Sequence, residues 1–303
     1  MALAAETRLR RWTLDERRFR WIAYAALSTL TLIIFTGAAV RLTGSGLGCH
    51  NWPKCTDRVL PQLDSHALIE YGNRMVTGVV GIPCILAALG VYRLRPFRRE
   101  LVVPALILPA GVFVEALLGG ATVLLDLQWQ VVILHYVTTC MLLVAAAVLV
   151  WRLDHPAGTE PVNDRRLVLS VRVLAYYGGA VLVAGSFATA AGPHAGGGGT
   201  GDYVERLHSV SLKTLIHWHG HAAAVLGFLA IGLWAWAWRT KASRNLRKAL
   251  TAVCVLIGAQ GVVGLVQYHN ALPSEIVWVH ASLAAVCWLA LVWSVLAAGR
   301  IAR

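Results

Sequence analysis

Charged side chains are scarce in this chain: 14% of the residues are Asp, Glu, Lys or Arg, whereas 57% are hydrophobic. A water-soluble domain normally carries about 25% charged residues, so the composition excludes an ordinary soluble protein. Four Cys or His ligands at the spacing of a structural zinc site are also missing. The GGGG run is not followed by Gly-Lys-Ser/Thr, which argues against a phosphate-binding loop.

Long apolar stretches are abundant, and the mean hydropathy is +0.63. A membrane-spanning helix needs about 20 apolar residues, and eight stretches of the sequence meet that requirement. They cover 21–40, 68–92, 101–124, 129–151, 167–191, 213–238, 247–267 and 276–298. The sequence therefore predicts an all-α polytopic membrane protein. No cleavable signal peptide is expected, because the apolar segment after the basic first 20 residues is too long for one.

Basic residues outnumber acidic ones by 27 to 15, and their positions follow the predicted spans. If the spans alternate, 21 of the 27 Lys and Arg lie on one side together with both termini. The other six are Arg41, Lys54, Arg58, Arg74, Arg206 and Lys213. By the positive-inside rule, the basic side is cytoplasmic. The basic excess thus predicts an orientation in the membrane and does not indicate nucleic-acid binding.

Three histidines lie at similar depth in three different predicted spans: His135, His219 and His280. Each follows the start of its apolar segment by a few residues, which places the imidazole roughly 6–10 Å inside the apolar layer. A polar ring in hydrocarbon is costly and by default indicates function. We expect a layer of ligands toward the outer face; the alternative is that each histidine only forms a hydrogen bond between helices.

The spacing of these residues repeats along the chain. His280 follows His135 by 145 residues, and His219 follows Asn73 by 146. Four spans per half keep the halves in one orientation, which predicts two pseudo-symmetric four-helix bundles as parallel repeats about an axis along the membrane normal. The expected division is an N-terminal half at 1–153, a cytoplasmic linker at 154–166 and a C-terminal half at 167–303.

In the C-terminal half, His219 and His280 come from two helices at one depth. Paired imidazoles across a bundle core can ligate a haem iron from both faces, and such a site passes electrons. The repeat register selects His219 over its neighbours His217 and His221.

The N-terminal half differs, because Asn73 stands where the repeat would place a histidine partner for His135. Asn is a poor iron ligand, so an iron here would keep an open position or take another ligand that the sequence leaves open. Glu70 and Arg74 are one helical turn apart and are expected to pair. The pair is either a plain ion pair or a functional one, with Glu70 handling protons and Arg74 binding a haem propionate.

Two of the six cysteines, Cys49 and Cys55, lie in the first outer loop. That side of the membrane is oxidising, so a disulfide is expected, although a dithiol six residues apart could equally relay electrons. The other four cysteines lie in predicted spans and are interpreted as small core residues.

These segments together resemble the heme A synthase family of cytochrome oxidase assembly. The resemblance covers the whole chain. It is carried by VRLTGSGLGCHNWPKC, HALIEYGNRMVTG, GGATVLL, VVILHYV, ATAAGPHAG, IHWHGHAA and EIVWVHASLA. The resemblance implies eight spans in two halves and oxidation of a ring methyl of heme O to the formyl group of heme A, through successive hydroxylations.

The resemblance also implies site roles and partners. Haem b is expected on His219 and His280, and heme O near His135, with Glu70 as the acidic residue of the motif. Heme O is the implied substrate, with heme O synthase and cytochrome c oxidase assembly proteins as implied partners; the electron donor and a homo-oligomeric state stay open.

The chain departs from the family pattern at two places. Many members carry His where this chain has Asn73, and some have a second cysteine pair that is missing from residues 186–212. Two rival functions are a membrane di-haem cytochrome b that only carries electrons and a haem-binding assembly factor or transporter. A carrier should ligate both irons from both faces, which Asn73 argues against.

Overall fold

The computed structural model describes residues 13–56, 60–61, 63–197 and 204–301. Eight long helices occupy most of these residues: α1 (Glu16–Leu42), α2 (Ser65–Gly90), α3 (Val102–Leu124), α4 (Trp129–Asp154), α5 (Arg165–Ala191), α6 (Leu212–Arg239), α7 (Arg244–His269) and α8 (Ser274–Ala298). All eight are long and apolar enough to cross a membrane, which confirms the all-α, multi-pass prediction. The basic residues before residue 13, Arg58, and residues 198–203 of the glycine-rich loop lie outside the described residues.

Most helices begin before the apolar stretch that predicted them, because a polar residue caps the first turn. The side chains that accept a hydrogen bond from a first-turn N–H are those of Asp15, Asp64, Asp164, Ser211 and Ser243. Such caps satisfy backbone donors that would otherwise have no partner. The stretch predicted at 21–40 thus becomes Glu16–Leu42, since hydropathy counts only the apolar part of a helix.

The helices pack in two sets of four. In the first set α1 and α3 each contact both α2 and α4; in the second set α5 and α7 each contact both α6 and α8. The sets meet where α8 contacts α1 and α4, and where α4 contacts α5. Half of the most apolar window of α8 is buried inside the protein, against 17% for α6 and for α7. Helix α8 is therefore central, and α6 and α7 are peripheral.

The first and the last described residues lie at the same end of the helix bundle. Leu14 forms a β-bridge with Leu94, and strand β1 (Val162–Asn163) pairs in parallel with β2 (Arg300–Ile301). This strand pair lies partly within the predicted linker and is an addition to the all-α prediction. We call this the termini end, and the opposite one the histidine end.

The turns between α3 and α4 and between α7 and α8 have the same local geometry. Asp126 and Leu127 have positive φ angles, as do Ala271 and Leu272, exactly 145 positions later in the chain. The N–H of Leu127 and that of Leu272 each donate to the carbonyl oxygen five residues earlier, at 2.8 and 3.0 Å. Left-handed backbone is unfavourable for residues other than Gly, so its recurrence at both positions of both turns marks a shared way of entering the next helix.

Candidate functional site

The rings of His219 and His280 face each other inside the second set of helices. Their centroids are 6.2 Å apart and their planes cross at 83°. His219 is the eighth residue of α6 and His280 the seventh residue of α8. Both helices start at the histidine end, so nearly equal distances from the two helix starts bring the rings to a similar depth.

Two glycines bring the backbones of neighbouring helices close to these rings. A Cβ atom at Gly185 of α5 would lie 2.9 Å from Cε1 of His219, and one at Gly264 of α7 would lie 3.0 Å from Cε1 of His280. Any larger residue would therefore push the imidazole aside. His219 Nδ1 lies 3.1 Å from the carbonyl oxygen of Val181, which leaves its Nε2 available as a ligand atom.

The separation of the two rings fits one iron between them. Two iron–nitrogen bonds of about 2 Å each, with the ring half-widths added, put the centroids of two axial imidazoles roughly 6 Å apart. Nδ1 of His280 is buried and forms no hydrogen bond within the described residues. No group of three or more His, Cys, Asp and Glu that could hold a bare metal ion occurs among the residues the structure describes; a haem iron needs only two protein ligands.

In the first set of helices, His135 of α4 meets a carboxylate. Its Nδ1 lies 2.7 Å from Oε2 of Glu115 on α3, at a distance typical of a strong hydrogen bond, although the N–H is not aligned with the oxygen. The hydroxyl of Thr139, one turn further along α4, donates to the same Oε2 at 2.7 Å. Glu115 is only 8% exposed.

Glu115 is a site residue that the sequence analysis missed. Two signals were available: it is the single acidic residue in the apolar run of α3, where an ionisable group indicates function, and Gln260 stands 145 residues later. Gln260 lies on α7, and its amide donates to the backbone oxygen of His280 at 3.0 Å. The two equivalent positions therefore act differently on the histidine beside them.

The side chain of Asn73, which stands where the repeat would place a histidine, already has a hydrogen-bond partner. Its side-chain oxygen accepts a hydrogen bond of 2.7 Å from the hydroxyl of Thr36 on α1. The amide is thereby tied to the neighbouring helix.

The first loop at the histidine end is closed by a disulfide between Cys49 and Cys55, as predicted. Glu70 lies beneath this loop and is 5% exposed. Its Oε2 accepts the N–H of Cys49 at 2.7 Å, and its Oε1 accepts a 2.5 Å hydrogen bond from Arg74. The predicted pairing of Glu70 with Arg74 is confirmed, and both carboxylate oxygens are engaged.

Arg74 also holds the disulfide loop directly. Its guanidinium donates to the backbone oxygens of Asn51, Lys54 and Cys49 at 2.9, 3.0 and 3.1 Å. The buried Glu70 and the partly buried Arg74 thus anchor the loop to α2.

Close backbone packing fixes the position of the same loop. A Cβ at Gly48 would lie 2.4 Å from the backbone of His66, and one at Gly120 of α3 would lie 2.6 Å from the ring of Trp52. The loop therefore rests on both α2 and α3.

His217 and His221, the neighbours of His219, lie elsewhere. Both are exposed, their rings are 6.3 Å apart, and His217 Nε2 lies 3.4 Å from the hydroxyl of Tyr268. Of the three histidines in this helix turn, His219 is the one whose ring faces His280.

Comparison with known proteins adds a family. Residues 20–192, more than half of the chain, match the family described as cytochrome oxidase assembly protein. The heme A synthase of Lysinibacillus sphaericus is 35% identical over 122 residues, which cover 40% of each chain. The heme A synthase of Bacillus pumilus is 34% identical over 39% of each chain. That of Listeria monocytogenes is 25% identical over 295 residues, covering 88% of this chain and 92% of the relative.

Proposed function

Since the chain belongs to the cytochrome oxidase assembly protein family, we propose that it is a haem-dependent oxidoreductase, a heme A synthase. In this proposal it oxidises a ring methyl group of heme O, at C8, to the formyl group of heme A through successive hydroxylations, for cytochrome c oxidase biogenesis. The observation that carries the proposal is the 6.2 Å separation of the His219 and His280 rings. The names of the relatives in three bacteria support it.

The two sets of helices act as pseudo-symmetric halves, 1–153 and 167–303. Support comes from the matching helix contacts, from the matching turns before α4 and α8, and from the glycines beside His135 and His280, which are also 145 residues apart. With the basic termini end in the cytoplasm, the histidine end lies toward the outer face of a bacterial plasma membrane.

The C-terminal half is the cofactor half. His219 and His280 hold haem b, with His219 oriented by its contact with the Val181 carbonyl. Haem b with two imidazole ligands supplies electron transfer. The role of the chain is to keep the two rings at a fixed separation, for which Gly185 and Gly264 leave the space.

The N-terminal half is the substrate half, with heme O near His135. The pairing of Asn73 with Thr36 supports an arrangement in which His135 is the one histidine ligand from the protein. Glu70 handles a proton and Arg74 contacts a propionate. Both oxygens of Glu70 already accept protein donors, so it handles a proton either through a remaining lone pair or after it releases one of these donors.

The proposed partners are those that the family resemblance implies. Heme O synthase supplies the substrate and oxidase assembly proteins receive the product. The Cys49–Cys55 disulfide closes the loop above Glu70; a redox relay through this pair requires that the disulfide open and re-form.

The decisive experiment is to express the chain with a heme O synthase in a host that makes no heme A. Haems are then extracted from the purified protein and from membranes and identified by mass. We expect haem b to copurify and heme A to accumulate. Two low-spin haems without heme A would identify a di-haem electron carrier instead. If no haem copurified, both the heme A synthase and the electron carrier would be excluded.

A further inference from the structure

We propose that Glu115 is a positioning residue that orients the ring of His135, a role that rests on the proposed function of the first half as the substrate site. The carboxylate reaches from α3 to α4, and its Oε2 lies 2.7 Å from both His135 Nδ1 and Thr139 Oγ1. One oxygen thus meets the imidazole and a hydroxyl one turn away on the same helix. The two contacts fix where this oxygen lies relative to the ring.

The surroundings of Glu115 indicate that the carboxylate has a use. The side chain is 10% exposed, and among the described residues its one ion-pair partner is His135. Its second oxygen is buried and forms no hydrogen bond in the described part of the chain. Burying an acidic group with so few partners costs folding free energy. The folded protein would be more stable with a neutral residue at this position.

The contact at Nδ1 determines what the other ring nitrogen can do. A histidine that binds a metal almost always donates its second N–H to a carboxylate, a carbonyl or water, which fixes the tautomer and the orientation of the ring. With Glu115 beside a protonated Nδ1, Nε2 carries the lone pair and can bind an iron inside the bundle.

The second half lacks this device. Gln260 occupies the position of Glu115 and Ala284 that of Thr139, each 145 residues later. Gln260 donates to the backbone of His280 instead of meeting its ring, and His280 Nδ1 has no hydrogen bond among the described residues. Because a neutral amide suffices at the same place in the helix pair, packing alone does not require the carboxylate of the first half.

The test uses the full chain, purified with its second-half haem and titrated with heme O. Difference absorption gives the affinity, and resonance Raman gives the iron–histidine stretching frequency of the added ferrous haem. Loss of such a partner typically weakens metal binding by about 10- to 100-fold. We expect a loss near the lower figure for Glu115→Gln, which keeps a neutral acceptor, and near the upper one for Glu115→Leu, with the stretching frequency lowered in both.

Two further variants sharpen the test. Thr139→Val removes the hydroxyl without changing charge and should lower the frequency by a smaller amount. Gln260→Glu is the mirror change and should leave heme O binding unaltered while changing the second-half spectrum. The low-spin spectrum of that half reports whether each first-half variant is folded, and if Glu115→Leu is not, Glu115→Gln and Thr139→Val decide.

The possible failures are distinct. If the unaltered chain makes heme A while both Glu115 variants bind heme O with unchanged affinity and frequency, the positioning role is wrong and the proposed function stands. If the unaltered chain neither binds heme O nor makes heme A, the proposed function is wrong, and the role of Glu115 falls with it.

Discussion

His135 and His280 occupy the same place in the two sets of helices, each beside a glycine of the preceding helix and each reached through the same turn geometry. Their polar neighbours are different. A carboxylate and a hydroxyl surround His135, whereas His280 faces the ring of His219 across 6.2 Å. The two turns share their backbone geometry, and in the proposed function the side chains that differ are those that decide how an iron would be held.

The same contrast holds at the other pair of equivalent positions. Asn73 is bound to Thr36 of α1, whereas Nδ1 of His219 lies near the backbone oxygen of Val181. Among the described residues, the rings of His219 and His280 face each other in the second set of helices, whereas the first set has Asn73 where the second has His219. The first set instead carries Glu70, Arg74 and the disulfide loop.

The largest effect is expected from removing a second-half ligand. His219→Leu or His280→Leu should abolish the low-spin haem spectrum of the purified protein, because a single imidazole cannot hold the iron from both faces. The matched control is His217→Leu, whose ring is exposed and lies beside Tyr268. An unchanged spectrum in either ligand variant would rule out the paired-histidine site.

The next largest effect is expected at Glu70. The second half has no carboxylate at the equivalent position, which is Ile216. Glu70→Ala should leave haem bound but stop formyl formation, measured as heme A extracted from cells that make heme O. Glu70→Gln keeps an acceptor for the Cys49 N–H and separates anchoring of the loop from proton handling. Continued heme A production by Glu70→Ala would refute the catalytic role.

A smaller effect tests whether Gly264 and Gly119 are equally needed to leave space for the neighbouring histidine rings. A Cβ at Gly264 would be 3.0 Å from its histidine, but one at Gly119 would be 3.6 Å from His135, an ordinary contact. Gly264→Ala should therefore cost about 1–3 kcal/mol through overpacking and reduce the low-spin haem content. Gly119→Ala, the control, should change heme O affinity by less than twofold; equal losses would show that ring clearance is not what distinguishes the sites.

The smallest effect is expected at the termini end, where Glu160 joins the two halves. Arg152 of α4 donates to its Oε1, and Arg300 of β2 lies 3.3 Å from its Oε2. The hydrogen bond from Arg152 lowers the pKa of Glu160 from 4.5 to about 2. Its stabilising contribution is therefore complete above about pH 5 and is lost as the pH falls toward 2.

Glu160→Gln should lower the free energy of unfolding at pH 7 by about 0.5–1 kcal/mol, the range of ion pairs near a surface. Thermal melting of the two proteins should differ at pH 7 and converge as the pH falls from 5 toward 2. Glu160→Gln should destabilise the two halves to the same extent. The haem absorption spectra of the variant and of the unaltered protein at pH 7 should therefore be identical. A difference that persisted at the lowest pH would contradict the assigned pKa.

Much of the fold was predictable because it is encoded locally. Apolar length alone predicts eight spans, and capping residues such as Asp64 and Ser211 mark where helices start. The pairing of Glu70 with Arg74 follows from their short spacing, and a disulfide between Cys49 and Cys55 was predicted from their place in an outer loop. The strand pair of β1 and β2 was not predictable, since two residues on each strand leave no periodic signal.

Glu115 shows where sequence reasoning stopped. One acidic residue in an apolar helix indicates function, but its partner His135 lies 20 residues away on another helix. The rotation of α3 about its axis decides whether the carboxylate meets that ring, a neighbouring helix or lipid. The amide of Gln260, at the equivalent place, meets a backbone oxygen instead.

The amino-acid sequence by itself determined the number of candidate spans, because hydropathy is a property of a single segment. From the sequence, the orientation in the membrane and the histidines that bind iron are predictions. Only the tertiary structure decided that the rings of His219 and His280 lie 6.2 Å apart, that Glu70 has both oxygens occupied, and that Glu115 meets His135. Each of these depends on how helices distant in sequence are rotated and packed against one another, which no single segment encodes.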